Sequence, residues 1–135
     1  MTKIIQFILL VIMLATFSSV AIANVSFYDE AIKMYKEKKY DDAKFLFERN
    51  IVYNPKNVES YLYLAKIYNQ KEEQNKEEQN LDTVLLLEPS NEEAILMSMK
   101  IALKKSNYSK VKSLSKTFVK VCKKLCNEND SIKES

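Results

Sequence analysis

The residues with the most obvious chemistry are Cys122 and Cys126, four positions apart near the end of the 135-residue sequence. On a helix that spacing puts both thiols on one face, with Cα atoms about 6 Å apart and poorly directed Cβ vectors, so a bridge forms more easily where the helix frays. Three states are open: a local disulfide, two free thiols with Cys122 in the core, and a bridge to another chain. A catalytic dithiol is disfavoured, because the usual arrangement is Cys-x-x-Cys at a helix start, not Cys-x-x-x-Cys near a helix end. Metal binding needs more ligands than two thiolates, and none lie nearby in sequence.

Carboxylates are the other candidates, among them Asp41, Asp42, Glu72, Glu73, Glu77, Glu78, Glu92 and Glu93. Any two can be imagined as acid and base. Set among lysines, as Glu72 and Lys76 are at i,i+4, they read instead as a solvated helix face with ion pairs. Histidine and glycine are both absent. Without histidine there is no Ser-His or Cys-His dyad and no imidazole ligand. Without glycine there is no phosphate-cradling loop. The expectation is a protein without catalytic, metal or cofactor sites.

The sequence opens on Lys3, then an apolar run from Ile4 to Phe17 broken by Gln6 and Thr16, then Ser18-Ser19-Val20-Ala21-Ile22-Ala23. That order reads as a signal peptide, residues 1–23, cleaved after Ala23. The alternative is an uncleaved anchor in the inner membrane, since residues 4–23 are roughly long enough to span a bilayer. No cysteine follows Ala23, so a lipid anchor is not indicated. What remains is about 110 residues, the size of one domain. The net charge of +3 is too small to argue for nucleic acid, and Arg49 is the one arginine available for bidentate phosphate recognition. The sequons at Asn24, Asn107 and Asn129 matter only in a eukaryotic secretory host, whereas the leader and the Lys-, Asn- and Ile-rich composition favour a bacterial periplasm.

The elements that would position any site follow a period. Pro55 and Pro89 are 34 residues apart, and between them stands Tyr61-x-x-Leu64-Ala65-x-x-Tyr68. One period upstream, Phe27, Ala31 and Met34 fall where Tyr61, Ala65 and Tyr68 stand, followed by Tyr40-Asp41-Asp42-Ala43-x-x-x-Phe47. Downstream come Ile95, Met99, Ala102, Tyr108, Val111, Leu114 and Phe118. Aromatic-x-x-Leu-small-x-x-Tyr, with a second helix closed by proline, resembles the tetratricopeptide repeat (TPR) family. The resemblance implies an all-α fold: a short α-solenoid of about three helix-turn-helix units, near 24–57, 58–91 and 92–126, with a C-terminal capping helix and a disordered tail over 127–135. Helices are expected near 26–38, 41–53, 58–70, 75–87, 91–104 and 108–125. Asn57 and either Ser90 or Asn91 are expected N-caps, with Ser90-x-x-Glu93 fitting a capping box.

Lys71 to Asn80 repeats Lys-Glu-Glu-Gln-Asn twice and places Glu77 where Ala43 stands. A carboxylate at a helix crossing needs a partner or a raised pKa, so the expectation is a loosely begun or slipped second helix. The duplication itself reads as gene slippage onto a solvated turn or as a charged binding loop.

In TPR proteins the first helices of successive units line a concave groove that holds a partner segment. Carried over here, that implies a partner-binding face of Tyr28, Ile32, Tyr35 and Lys36, then Leu62, Tyr63 and Lys66, then Leu96, Met97, Lys100 and Lys104. The implied function is a non-catalytic adaptor or assembly factor of the cell envelope that binds a protein or peptide segment. The neighbouring unit or a second copy of the chain is an alternative cover for the apolar members, and thiol-redox activity through Cys122 and Cys126 is the competing function.

Overall fold

The computed structural model describes residues 26–128, so the expected leader and the tail beyond residue 128 lie outside the described residues. Six helices follow one another: α1 (Phe27–Lys36), α2 (Tyr40–Tyr53), α3 (Val58–Gln70), α4 (Gln74–Leu87), α5 (Glu92–Lys104) and α6 (Tyr108–Val121). Among the described residues there is no strand, and no helix is long and apolar enough to cross a membrane.

Asparagines start three of these helices. Asn57 Oδ1 accepts from the Ser60 amide at 2.8 Å, Asn91 Oδ1 from the Ala94 amide at 3.0 Å, and Asn107 Oδ1 from the Lys110 amide at 3.1 Å. Each satisfies a helix-start N–H that no preceding turn can pair. Asn91 thus takes the role shared in expectation with Ser90, and the Ser90-x-x-Glu93 box does not form: Glu93 pairs instead with Lys66, 2.8 Å away.

The turn inside each unit repeats to the residue. Lys38, Glu72 and Ser106 have φ of 60°, 59° and 54° and stand 34 positions apart. Around each, the same two bonds close the first helix: Lys38 N–H to Tyr35 and Lys39 N–H to Met34, Glu72 to Asn69 and Glu73 to Tyr68, Ser106 to Leu103 and Asn107 to Ala102. This left-handed helix stop is most often made by glycine. In a sequence without glycine, each copy bears a backbone cost of about 1 kcal/mol.

Each helix packs against the next, forming hairpins α1–α2, α3–α4 and α5–α6 that stack along the chain. Ala31, Ala43 and Ala65 are fully buried where the hairpins cross, and Met99, which stands at the Ala65 position of the third unit, is fully buried too. Phe47, Leu64 and Ile67 join the first two units, Leu81, Val84, Ala94 and Ile101 the second and third, and Met99 and Phe118 close the end. Burying a side chain of this size contributes about 1.5–3 kcal/mol. A polar link crosses the first joint: buried Asn50 donates to Ser60 Oγ at 2.9 Å and accepts from Asn54 at 3.1 Å. Beside it, Tyr68 donates to Glu48 at 3.1 Å; burial, then that bond, pushes its hydroxyl pKa up to about 12.

Two expectations need correction. α4 is neither loose nor slipped: it begins at Gln74 in register, and Glu77 occupies the crossing position, 3% exposed. α6 stops at Val121 instead of continuing to 125, because Cys122 turns to ψ 139°. Its apolar stripe nonetheless reaches Leu125, which returns to the same cluster by a folded-back segment.

Candidate partner-binding face

The first helices of the three units meet along one side of the stack. Between α1 and α3 the contact is aromatic: Tyr35 meets Tyr63 edge-on at 4.9 Å, and Tyr63 lies flat on Phe47 of α2 at 5.1 Å. Tyr28 adds an edge to Phe47 at 6.0 Å, and Tyr40 an edge to Tyr35 at 5.5 Å. Five rings therefore form one continuous cluster, with Phe47 fully buried and the four tyrosines half-buried. Edge and offset contacts of this kind add about 0.5–1.5 kcal/mol each beyond area burial. Burial is also the first cause that raises the Tyr28 and Tyr35 hydroxyls above the ordinary tyrosine pKa, so the rings stay neutral. Between α3 and α5 the contact is ionic: Lys66 lies 4.8 Å over the Tyr63 ring and pairs with Glu93.

Beyond Glu93 the face opens into a cleft of about 660 Å³, with Leu62, Glu88, Glu92 and Glu93 on one wall and Lys123, Lys124 and Leu125 on the other. The face thus carries half-buried aromatic rings at one end and a cleft with charged walls at the other.

No family model and no curated protein matches the chain. Solved structures do. The type III secretion chaperone SycD of Yersinia enterocolitica, in complex with a peptide of the translocator YopD, superposes with a TM-score of 0.72 at 15% identity, over 80% of this chain and 87% of that one. The second TPR domain of human RPAP3, in complex with an HSP70 peptide, gives 0.68 at 20% identity, over 82% and 95%. The fold is that of tetratricopeptide repeats.

Within the TPR framework the expected face residues separate into groups. Tyr28, Ile32, Tyr35, Tyr63 and Lys66 come together around the ring cluster, half-buried, and Lys36 stands exposed at the end of α1. Met97 is half-buried on α5, and Lys100 is exposed two turns along from Glu92. Of the covers expected for the apolar members, Leu62 and Leu96 have one from within the chain: they are 8% and 6% exposed. Leu62 packs with Ala65, Leu81 and Val84, and Leu96 joins the cluster that Leu125 covers. Lys104 faces another feature, a small polar cleft with Asn69, Gln74 and Glu77.

That cleft explains how this TPR stack carries a carboxylate at a crossing. Asn69 Nδ2 donates to Glu77 Oε1 at 3.0 Å. Burial pushes the Glu77 pKa up, the Asn69 bond and Lys104 pull against it, and Glu78 adds to the rise. Glu77→Gln keeps an acceptor for Asn69 and removes the charge, and is expected to raise stability at pH 7 by about 1 kcal/mol. The folded chain holds this proton at pH values where the unfolded chain, near 4.5, has released it, so the carboxyl's contribution falls as pH rises through that window. Denaturant titrations of both proteins should therefore show the gain at pH 7 and its disappearance below about pH 4.5; an equal gain at both would remove the charge as its cause.

Other charges of the duplicated segment lie at the surface. Lys71 pairs with Asp41 and Glu78 with Lys105 and Lys110, while Lys76 pairs with Glu73 rather than with the expected Glu72. Hydrogen bonds from Lys105, then Lys110, hold the Glu78 carboxyl below its ordinary range. Exposed pairs of this kind add little stability. What sequence reasoning missed is Phe47 as the floor under Tyr63, the Asn69–Glu77 bond, and the return of residues 122–128. The first carried a signal, since Phe47 lies four residues after Ala43 in the expected second-helix pattern.

Proposed function

We propose that the protein is a non-catalytic TPR adaptor or assembly factor of the cell envelope, exported by its leader to a bacterial periplasm, that binds an extended or helical segment of a partner protein along the α1–α3–α5 face. The observation that carries this reading is the ring cluster. Tyr28, Tyr35 and Tyr63 are each held by a neighbouring ring while part of each stays open, so a partner meets a pre-ordered surface. Rigid aromatic anchors of this kind lose little entropy on binding and dominate protein interfaces. Ile32 and Met97 extend the apolar surface to either side, and Met adapts to varied side chains. Peptide complexes of the structural neighbours, with a YopD peptide in SycD and an HSP70 peptide in RPAP3, support use of the fold in this way.

A photo-crosslinking residue placed at Ile32, half-buried beside the ring cluster, in the intact protein is expected to capture a partner from envelope fractions. The same residue at Leu86, 80% exposed on α4, is expected not to. With the captured protein in hand, Tyr63→Ala should weaken its binding by about tenfold or more, in the range of a hot-spot truncation, with circular dichroism confirming that the variant is folded. Equal capture at the two sites, or binding that Tyr63→Ala leaves unchanged, would remove the groove. Replacing Cys122 and Cys126 with serine is expected to leave captured-partner binding in place; an enzymatic turnover lost in that folded variant would establish the thiol-redox function instead.

A further inference from the structure

The last described residues lie against α5. After α6 ends, the disulfide joins Cys122 to Cys126 with Cα atoms 5.3 Å apart. The chain inside this loop turns its backbone toward Glu92: the Lys124 and Leu125 amides donate to Glu92 Oε2 at 3.0 and 3.1 Å. Leu125 packs on the Ile95, Leu96, Met99 and Phe118 cluster. Two turns along α5, Glu128 lies 3.7 Å from Lys100. Glu92, Leu96 and Lys100 are spaced i, i+4, i+8, one stripe of one helix about 12 Å long. The segment thus follows a stripe that contains two of the expected groove residues, and it offers each a matching group: an aliphatic side chain to Leu96 and a carboxylate to Lys100.

We propose that residues 122–128 are a tethered occupant of the groove's third unit, closed by the Cys122–Cys126 disulfide, and that reduction by a dithiol releases them and opens the Leu96–Lys100 stripe to a partner segment bearing an aliphatic residue followed by a carboxylate. In the reductive step two electrons and two protons pass to the two sulfur atoms, and the dithiol closes to its own disulfide. The loop is held by two amide bonds to one half-buried carboxylate, one leucine and an exposed ion pair. Such contacts hold a closed loop whose ordering cost is already reduced, and they hold an open chain less well. The backbone amides of Lys123, Lys124 and Leu125 keep the Glu92 carboxyl below its ordinary range, so Glu92 stays charged in the tethered state. The identity of the partner rests on the groove reading; the tether itself does not.

Amide hydrogen exchange on the full chain, labelled with 15N, separates the two. In the oxidised protein the Lys124 and Leu125 amides are expected to exchange about tenfold or more slowly than in an unstructured chain. Dithiothreitol, or Glu92→Ala without reductant, is expected to remove most of that protection while the α3 amides keep theirs. The probe for the opened stripe is the acetylated and amidated peptide Lys-Lys-Leu-Ser-Asn-Glu, the chain's own 123–128 sequence with Ser for Cys126. It should shift the Leu96, Met97 and Lys100 amides of the reduced protein and leave those of the oxidised protein in place. Unprotected amides in the oxidised protein, or protection that survives reduction, would overturn the tether. Peptide-induced shifts around Tyr35 and Tyr63 alone would overturn the third-unit site and leave the groove reading standing, and shifts on neither face would count against both.

Discussion

Phe47→Ala is expected to destabilise the protein by about 3–5 kcal/mol, the range for removing a buried aromatic ring from a packed core. Phe47 is fully buried in α2 and joins the Ala31, Ala43, Leu64, Ile67 and Tyr68 cluster. Two terms add: the apolar area returned to water, and a cavity that helices fixed by their neighbours fill only in part. A third term is particular to this site. Phe47 is the ring on which Tyr63 lies flat and which Tyr28 meets edge-on, so its loss leaves both tyrosines without the neighbour that orders them. Urea denaturation measures the first two terms as a lower midpoint at unchanged slope. The third is visible only in binding, where Phe47→Leu is expected to recover most of the stability and less of the affinity, because leucine offers no flat face. A loss below about 1 kcal/mol for Phe47→Ala would mean that the first two units do not share this core.

Ala65→Trp acts in the opposite sense and is expected to cost about 1–3 kcal/mol or more by overpacking. Ala65 is fully buried in α3, in one cluster with Leu81 and Val84 of α4 and Ala94 and Ile101 of α5. An indole there has no void to enter, so α4 and α5 must move apart or the ring must leave its preferred rotamer. Thermal melting is the direct readout; for a domain of this size each 1 kcal/mol corresponds to roughly 4–8 °C. Gln70→Trp, exposed at the end of the same helix, carries the same side chain without the crossing and is expected to melt within a few degrees of the parent. If Ala65→Trp melts with it, the 34-residue register assigned to the chain is wrong.

The two substitutions depend on different levels of information. Ala65 was recognisable as a crossing residue because the signal is local and periodic: a small side chain four positions after Tyr61, in a helix whose apolar stripe repeats after 34 residues. Helix α3 matches its expected bounds, 58–70, for the same reason, since Asn57 caps it at one end and the turn after Gln70 stops it at the other. The left-handed residues at 38, 72 and 106 were set by that period too. Their regularity was hidden in the sequence because Lys, Glu and Ser stand where glycine would have announced a turn.

Glu77 shows the limit. The pentapeptide Lys-Glu-Glu-Gln-Asn occurs twice in succession, yet its first copy forms the turn, with Glu72 exposed at positive φ, and its second puts Glu77 in the core. Nothing in five identical residues distinguishes these fates. The partner that makes the second tolerable, Asn69, is eight residues away on another helix.

By itself, then, the sequence determined the all-α class, the three two-helix units and the crossing alanines, while the face shared by the first helices was what the TPR resemblance implied. The helices and their crossing alanines follow from spacing within about a dozen residues, where helical period and capping act, and the units from the repeat of that spacing after 34 residues. Only the tertiary structure decided which of the face residues are open. Leu62 and Leu96 are buried while Tyr63 is not, and the chain's own Leu125 and Glu128 return to the third unit. The physical reason is that exposure is a property of pairs of remote surfaces. A leucine on a helix face carries the same local signal whether the segment that covers it lies four residues away or thirty.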